Sequence, residues 1–378
     1  MAKLAHYITV GQQELRCGYT TGTCAAAAAL GAARRLVLGR WDEGVCIRTP
    51  AGIDVQAELL ERSFFGNSAR CAVCKDGGDD PDVTDGELIF ASVTLTATPG
   101  VTIDGGEGVG RVTKPGLDRP VGDAAINSVP RSMICRALEP LASEHGFEVE
   151  ISVPGGEKLA GRTFNPRLGI VGGISILGTS GIVRPMSEDA LIESVRLEIR
   201  ALAAGGAKHL LLTPGNYGDD FSREVLGLDM RGRALCSNYA GQALDCAVTS
   251  GFESILLVGH LGKLIKIAGG AMNTHSRVCD GRRETICAHA ALCGADTAAV
   301  RELFAAPTTD AAVEILQRAG ILEPVMASVA RALEENLRHR VGDIPVAALF
   351  FSNKFGVLGQ TSLASELLEH HKYLEDEK

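Results

Sequence analysis

The segment Ser254-Ile-Leu-Leu-Val-Gly-His-Leu-Gly-Lys263 is the clearest indication of the fold of the second half of the chain. Its first five residues form a mainly apolar run, which is typical of a parallel strand buried on both faces. A glycine ends the run, and the polar loop behind it lies where open α/β sheets bind their ligands. Strand, loop and helix signals alternate from about residue 186 onward. We therefore predict an α/β, Rossmann-like domain with a mainly parallel sheet over residues 186–378.

The predicted strands of this second domain are residues 209–213, 234–237, 254–258 and 345–351. Its predicted helices are residues 190–204, 219–226, 239–250, 261–268 and 283–292, with one long helical stretch over 296–340. The first 185 residues differ, because strands predominate and only two helices interrupt them. Strands are predicted at 45–48, 54–60, 70–74, 88–97 and 148–153. Residues 168–177 are apolar enough for a central strand, which could belong to either sheet. We therefore predict an α+β domain over residues 1–185, with the domain boundary near Pro185.

Length and composition narrow the class of protein. A chain of 378 residues exceeds the size at which one core stops growing, which favours two domains. A net charge of −9 argues against non-specific nucleic-acid binding. No apolar run approaches membrane-spanning length and no secretion signal is visible, so we expect a cytoplasmic protein without a membrane partner. The sequence leaves the oligomeric state open, homo-oligomers included.

Three loops follow predicted parallel strands, at residues 214–218, 237–241 and 259–263. Glycines permit close backbone approach to a ligand, and Asn and Ser supply hydrogen bonds, as in nucleotide or nucleoside pockets. Each loop alone is also an ordinary turn. The predicted cofactor-binding residues are Gly215, Asn216, Gly218, Ser237, Asn238, Gly259 and His260.

A second candidate site lies at the N-terminal helix start Thr20-Thr21-Gly22-Thr23, which runs into five alanines. Threonine hydroxyls can cap such a helix and leave amides free for an anion. The acidic loop that contains Asp76, Asp79, Asp80 and Asp82 has two interpretations, a protonatable or cation-binding site and a solvated turn.

Cationic side chains are scattered through loops rich in Gly, Pro or Asn. They could clamp carboxylates, or they could be separate surface charges that balance an acidic protein. These residues are Lys114, Arg131, Arg162, Arg167, Lys263 and Arg277. We predict no resident metal, since Cys71 and Cys74 have metal-site spacing but point to opposite faces of a predicted strand.

Several long motifs, in order, carry a resemblance to a known family. They are Leu15-Arg-Cys-Gly-Tyr-Thr-Thr-Gly-Thr-Cys-Ala-Ala26, Lys75-Asp-Gly-Gly-Asp-Asp-Pro-Asp-Val-Thr84, Gly108-Val-Gly-Arg-Val-Thr-Lys-Pro-Gly-Leu117, Ala125-Ile-Asn127 with Pro130-Arg131, residues 163–179 and residues 259–282. At these positions the chain resembles the CbiD family of cobalt-precorrin-5B C1-methyltransferases. It departs from the family pattern at Gly77 and Cys279, where alanine is expected, and the match thins beyond about Arg301.

The resemblance implies transfer of the methyl group of S-adenosylmethionine to C1 of a cobalt-bearing, ring-contracted tetrapyrrole in cobalamin biosynthesis, giving cobalt-precorrin-6A. Cobalt would arrive inside the substrate macrocycle. Because the sulfonium is already a strong electrophile, the protein's task is mainly to align the reacting carbons, which requires no covalent catalyst. The many carboxylates of such a substrate would explain the loop cations.

On this basis the three strand-end loops are predicted to hold S-adenosylmethionine. The predicted tetrapyrrole-binding residues are Thr20, Thr21, Gly22, Thr23, Lys114, Arg131, Arg167, Lys263 and Arg277. His260 and His275 are predicted to carry a proton, because imidazole titrates near neutral pH, and Asp79 and Asp80 are the second candidates.

Two alternatives stay open from the residues alone. The Thr-rich helix start also resembles the phosphate-binding helix start of small-molecule kinases, which would make the protein a phosphotransferase. A non-catalytic protein that binds corrinoid intermediates would contact the tetrapyrrole and leave S-adenosylmethionine unconsumed.

Overall fold

The computed structural model describes residues 3–142 and 145–373, and the chain divides into two compact units, Met1–Glu188 and Asp189–Lys378. The helices of unit 1 are α1 (Thr21–Leu38), α2 (Ser128–Ala142), α3 (Gly156–Ala160) and α4 (Asn165–Leu168). Its strands are β1 (Tyr7–Val10), β2 (Gln13–Arg16), β3 (Gly18–Tyr19), β4 (Gly44–Arg48), β5 (Asp54–Glu58), β6 (Leu60–Phe65), β7 (Ser68–Cys74), β8 (Leu88–Thr96), β9 (Gly100–Gly105), β10 (Arg111–Val112), β11 (Gly146–Ser152), β12 (Ile170–Val171) and β13 (Ile182–Val183).

Helix α1 packs on a five-stranded sheet of order β6-β7-β8-β11-β9, in which only β11 and β9 run parallel. The five alanines Ala25–Ala29 are all fully buried. Side chains this small let the helix backbone approach the sheet closely, and the Cys71 thiol on β7 donates to the Ala28 carbonyl at 3.2 Å. The alanine run therefore makes α1 the core helix of unit 1.

Unit 2 alternates strands and helices. Its helices are α5 (Glu188–Ala204, beginning at the unit boundary), α6 (Asn216–Asp220), α7 (Ala240–Thr249), α8 (Leu261–Ala268), α9 (Arg282–Leu292), α10 (Thr297–Ala305), α11 (Thr309–Arg318), α12 (Leu322–Val341) and α13 (Ala364–Glu369), with a π-helical turn at Phe221–Val225 and a 3-10 turn at Met230–Gly232. Its strands are β14 (His209–Thr213), β15 (Arg233–Leu235), β16 (Ser254–His260), β17 (Val346–Ser352) and β18 (Gly356–Gln360).

The sheet of unit 2 has the order β15-β14-β16-β17-β18, with four parallel strands and an antiparallel edge strand. Its inner strands are buried on both faces. Leu210 and Leu212 belong to a core shared with α5, α7, α8 and α12, whereas Leu211 packs in a second core with α13. The chain order reverses between β14 and β16, and such a switch point opens a crevice at the carboxyl ends of the strands.

The mixed α and β content with a parallel sheet confirms the predicted fold class at that level. The predicted strand over 209–213 and helix over 261–268 match to the residue, and most other predicted elements agree within a few residues. Among the described residues, every helix is too short or too polar to cross a lipid bilayer.

Three predictions were wrong. Residues 168–177 form no central strand, because Gly169 and Gly172 have positive φ angles (+73° and +81°) that break an extended run. The helical stretch over 296–340 is three helices. Pro307, which has no backbone N–H, precedes the Thr308 N-cap and separates α10 from α11, and Gly320 (φ +68°) separates α11 from α12. The helix predicted over 219–226 begins earlier, at Asn216, and passes into the π-helical turn.

Candidate functional site

A cavity of about 630 Å³ lies at the carboxyl edge of the unit 2 sheet. Loops behind all four parallel strands line it, at the switch point between β14 and β16. Six residues named in the sequence analysis lie in its wall: Gly215, Gly218, Asn238, His260, Lys263 and His275. The volume falls within the range of about 300–1,000 Å³ that is typical of small-molecule sites.

Other lining residues were not predicted as contacts: Pro214, Tyr217, Gly262, Lys266, Thr274, Ser276, Arg282 and Asn353. Asn353 directly follows β17, so the rule that strand ends carry ligand contacts would have found it. Tyr217 stands in the quoted 214–218 loop, and its exposed ring offers a flat apolar face. Lys266 carries no comparable signal, because only the fold shows where its side chain goes.

Close backbone approach requires glycine at two positions, Gly218 in α6 and Gly259 near the end of β16. A Cβ atom at Gly218 would lie 2.9 Å from the Val258 carbonyl oxygen, and one at Gly259 would lie 3.0 Å from Pro214 Cγ. Any larger residue would push the two strand ends apart. Gly259 therefore belongs to the framework of the cavity rather than to its wall. Asn216, the first residue of α6, is exposed and lies outside the cavity lining.

Lys263 holds two strand-end loops together. Its Nζ donates to the Pro214 carbonyl at 2.5 Å and to the Ser237 carbonyl at 3.4 Å. Burial lowers the pKa of Lys263. Ser237 has a φ of +52°, an uncommon conformation for a residue other than glycine. The Lys263 ammonium, which was predicted to bind substrate carboxylates, thus binds main-chain carbonyls instead. These bonds hold the two loops together and set the shape of the cavity.

His260 ends β16 and caps α8. Its Nδ1 accepts from the Gly262 amide at 3.1 Å, so a neutral ring carries its proton on Nε2. Burial lowers the pKa of His260, and the ring meets Phe351 edge-on. The exposed His275 is arranged alike, with Nδ1 accepting from the Arg277 amide at 3.1 Å. In this tautomer both rings are hydrogen-bond donors, and neither is ready to accept a proton at Nε2.

The segment over residues 272–280 closes one side of the cavity. The Thr274 amide donates to the Asn238 carbonyl at 2.9 Å, and the Thr274 hydroxyl lies 3.2 Å from Asn238 Oδ1. The Gly241 amide donates to the Met272 carbonyl at 3.1 Å. These bonds join the segment to the loop behind β15. Arg277 lies exposed within the same segment.

The helix start of α1 in unit 1 differs from the prediction. The Gly22 amide donates to the Leu177 carbonyl at 3.1 Å, and the Thr23 amide donates to Thr20 Oγ1 at 3.3 Å. The Thr23 hydroxyl donates to the Gly181 carbonyl at 2.7 Å, and all three threonines are buried. The expectation that these amides are free for an anion was wrong, because the 177–181 loop fills the position. Substrate contact by Thr20, Thr21, Gly22 or Thr23 stays a prediction.

The cations of unit 1 fall into two groups. Arg131 is half-buried, donates from Nε to Ile126 O at 2.9 Å and from Nη1 to Ile103 O at 2.8 Å, and burial lowers its pKa. Lys114 and Arg167 are exposed. Lys114 packs against Gly169, where a Cβ would lie 2.4 Å from Lys114 Cγ.

The acidic loop is an internal network rather than a solvated turn. Arg16 donates from both Nη atoms to Asp76, at 2.5 and 2.7 Å, and Lys75, 2% exposed, donates to Asp82 at 2.5 Å. Burial by itself would raise the pKa of Asp76, but the bonds from Arg16 leave it below the ordinary value. The predicted proton carriers accept main-chain amides, Asp79 from Arg16 at 2.6 Å and Asp80 from Met186 at 2.9 Å.

The two cysteines with metal-site spacing occupy separate environments. Cys71 bonds the Ala28 carbonyl, whereas the Cys74 thiol donates to the Gly86 carbonyl at 3.3 Å. Within residues 3–142 and 145–373, no group of three or more His, Cys, Asp or Glu side chains is arranged to hold a metal ion.

Comparison with known proteins gives a consistent result. The CbiD family model matches residues 8–185, and the model of the CbiD C-terminal domain matches residues 273–362. The cobalt-precorrin-5B C(1)-methyltransferase of Ruminiclostridium cellulolyticum is 47% identical over 89% of this chain and 88% of that protein. The protein of the same name from Alkaliphilus metalliredigens is 42% identical over 97% of each chain. The crystal structure of cobalamin biosynthesis protein cbiD from Archaeoglobus fulgidus is 30% identical, covers 74% of this chain and 87% of that chain, and has a TM-score of 0.39.

Proposed function

The chain belongs to the CbiD family, and from that premise we propose that it transfers the methyl group of S-adenosylmethionine to C1 of cobalt-precorrin-5B, giving cobalt-precorrin-6A in cobalamin biosynthesis. Relatives 42–47% identical over most of their length bear the name of this activity. The structural observation that supports the proposal best is the strand-end cavity of unit 2, whose size suits one cosubstrate molecule.

In our proposal the cosubstrate occupies this cavity. Gly215, Gly218, Asn238 and His260 line its site, and Asn216, Ser237 and Gly259 belong to the strand ends and loops that shape it. The exposed Tyr217 ring offers a surface on which a purine can stack, and the Nε2 proton of His260 offers a hydrogen bond. A tetrapyrrole macrocycle is too large to lie wholly inside about 630 Å³, so it contacts the cavity only at its mouth.

Methyl transfer from a sulfonium requires alignment more than activation. In our proposal the strand-end loops supply that alignment, since Lys263 hydrogen-bonds a carbonyl in the loop behind β14 and another in the loop behind β15. His260 and His275 remain the proposed proton carriers. His275 is the better placed of the two, because it is exposed at the cavity and can release its bond to the Arg277 amide. Asp79 and Asp80 are the second candidates.

Exposed cations are the proposed partners of the substrate carboxylates. Lys114, Arg167 and Arg277 are exposed, and none of the three forms an ion pair within the part of the chain that the structure describes. A carboxylate could therefore bind each without breaking an existing bond. Arg131, Lys263 and the Thr20–Thr23 helix start support the surrounding structure, because their donors already meet main-chain carbonyls or side-chain oxygens.

We also propose that the units correspond to two domains, an α+β domain over residues 1–185 and a Rossmann-like domain over residues 186–378. The contact-based division at Glu188 and the parallel sheet of unit 2 support this arrangement. Mild proteolysis that releases two stable fragments by cleavage near Pro185 is the expected result. Progressive loss of both halves would contradict it.

The test of function is calorimetric titration of the purified protein with S-adenosylmethionine, followed by mass analysis after incubation with cobalt-precorrin-5B. We expect saturable binding and a mass gain of one methyl group, and weaker cosubstrate binding in His260→Ala and Asn216→Ala. Tetrapyrrole binding without cosubstrate binding would favour the non-catalytic carrier. Magnesium-dependent ATP turnover would favour the phosphotransferase, although the filled start of α1 speaks against a phosphate site there.

A further inference from the structure

Helix α8 carries two lysines that point away from solvent toward the loops of the cavity. Lys263 bonds the loops behind β14 and β15, as described above. Lys266, one turn further along, is 3% exposed. Its Nζ lies 3.0 Å from the Thr274 carbonyl, 3.0 Å from Ser276 Oγ and 3.2 Å from the Cys279 carbonyl.

All three bonds of Lys266 go to one short segment. An ammonium has three donors, and here each meets an oxygen between residues 274 and 279. Asp280 Oδ1, at 3.5 Å, supplies a nearby negative charge. Burial of a cation is unfavourable unless its donors are satisfied, so this segment and the ammonium stabilise each other.

We propose that Lys266 is a positioning residue for the cosubstrate site, and this inference rests on the proposed function. The segment that it holds places Thr274, His275 and Ser276 in the cavity wall. Without the ammonium, the segment keeps its bonds to the loop behind β15 through Thr274 and Met272, but residues 276–279 lose their anchor to α8.

The role of Lys266 is separable from the packing of α8. The helix is held in the core by Leu264, Ile265 and Ile267, which are fully buried. Methionine fills nearly the volume of the lysine stem but donates no hydrogen bond. Lys266→Met should therefore leave α8 in place and free the segment, whereas Lys266→Arg keeps a cation with donors and should restore part of the anchoring.

Trypsin provides a local readout, because Arg277 lies exposed in the anchored segment. In Lys266→Met we expect cleavage after Arg277 to be about tenfold faster, since charge-assisted bonds to that segment are lost. Affinity for S-adenosylmethionine should fall about tenfold, and KM should rise more than kcat falls. Lys266→Arg should recover part of both losses. The control is Lys208→Met, at the opposite edge of the sheet, which should behave as wild type.

The inference is overturned if folded Lys266→Met shows unchanged cleavage after Arg277 and unchanged cosubstrate affinity. If Lys266→Met does not fold, Ser276→Ala, which removes a single partner, tests the same claim with an expected two- to threefold change in both readouts, roughly half a kilocalorie per mole. Wild-type protein that fails to bind S-adenosylmethionine would refute the proposed function. The change in cleavage would then still decide whether Lys266 anchors the segment.

Discussion

Two helix starts, at α1 in unit 1 and at α8 in unit 2, share a glycine as the second residue of the helix and differ in structure. Both follow a strand, and both were predicted to meet a ligand. At α1 the chain itself occupies the position, because Leu177 and Gly181 carbonyls accept from Gly22 and Thr23. At α8 the loops behind the parallel strands diverge and leave a cavity of about 630 Å³.

The difference lies in what surrounds the helix start. The Thr-rich motif of α1 hydrogen-bonds the 177–181 loop, which lies about 155 residues further along the chain. This contact buries the threonines and makes them structural groups. In unit 2 the sheet order reverses beside β14, so the connections that leave β14 and β16 diverge and open a crevice at the strand ends. Substitutions at α1 should therefore change stability, and substitutions near α8 should change ligand affinity.

The largest effect is expected at Gly78, in the acidic loop that backs the α1 motif. Gly78 has a φ of +69°, and a Cβ there would collide with the Arg16 carbonyl and lie 2.6 Å from Gly18 N. Gly78→Ala should lower the free energy of unfolding by about 3 kcal/mol or more, from backbone strain plus overpacking. Chemical denaturation measures it.

Gly86→Ala is the matched control for this prediction, because Gly86 has a φ of +79° in the same loop and open space around it. The Gly86→Ala variant reports backbone strain alone, which should lower the free energy of unfolding by about 1–2 kcal/mol. Equal losses in the two variants would mean that close packing at Gly78 contributes nothing.

The next effect concerns acid sensitivity in unit 2, at the edge of the sheet opposite to the cavity. Burial lowers the pKa of His371 to about 4, with His209 and His370 adding repulsion and Asp229 opposing it. Since the unfolded state binds a proton near pH 6.5 and the folded state does not, this contribution to stability is present above pH 6.5 and is lost as the pH falls toward 4. It should amount to about 3 kcal/mol.

Unfolding of wild type and His371→Leu across pH 4–8 checks this prediction. The variant should lose most of the wild-type slope below pH 6.5, and the exposed His339→Leu should keep it. Cosubstrate affinity should not change in His371→Leu, because the residue is remote from the cavity lining. Parallel profiles for wild type and His371→Leu would contradict the assignment.

A smaller loss of stability is expected from Thr23→Val. The change keeps the side-chain shape, removes the 2.7 Å bond to Gly181 and leaves that carbonyl without this donor. The free energy of unfolding should fall by about 2 kcal/mol, and affinity for S-adenosylmethionine should not change. The exposed Thr102→Val serves as the control and should lie within about 0.5 kcal/mol of wild type. A large loss of affinity in Thr23→Val would place the ligand at α1 instead.

The smallest expected change in free energy is a loss of ligand affinity at the cavity of unit 2. Asn238→Ala removes an amide from the cavity wall and the oxygen that faces the Thr274 hydroxyl. Affinity for S-adenosylmethionine should fall five- to tenfold, about 1 kcal/mol, with little change in stability. Titration calorimetry measures it, with Asn67→Ala in unit 1 as the control. Unchanged affinity would remove Asn238 from the site.

Sequence patterns located the elements of unit 2 well because its strands are continuous apolar runs, and its cavity lies at the carboxyl ends of parallel strands, where ligand sites are expected. The patterns failed where contacts between distant parts of the chain determine the local structure. Residues 168–177 are apolar because Ile174 and Ile176 enter the core, yet their glycines prevent a strand. The roles of Lys263 and Lys266 could not be predicted, since these two lysines of α8 bury their charges only after several strand-end loops converge.

Hydrogen exchange with and without saturating S-adenosylmethionine locates the cosubstrate, because it reports each backbone segment of both units at once. We expect slower exchange at residues 214–218, 237–241, 259–266 and 273–280, and unchanged exchange at residues 20–24. Protection at residues 20–24 with none at the strand-end loops of unit 2 would contradict the placement of the cosubstrate in unit 2.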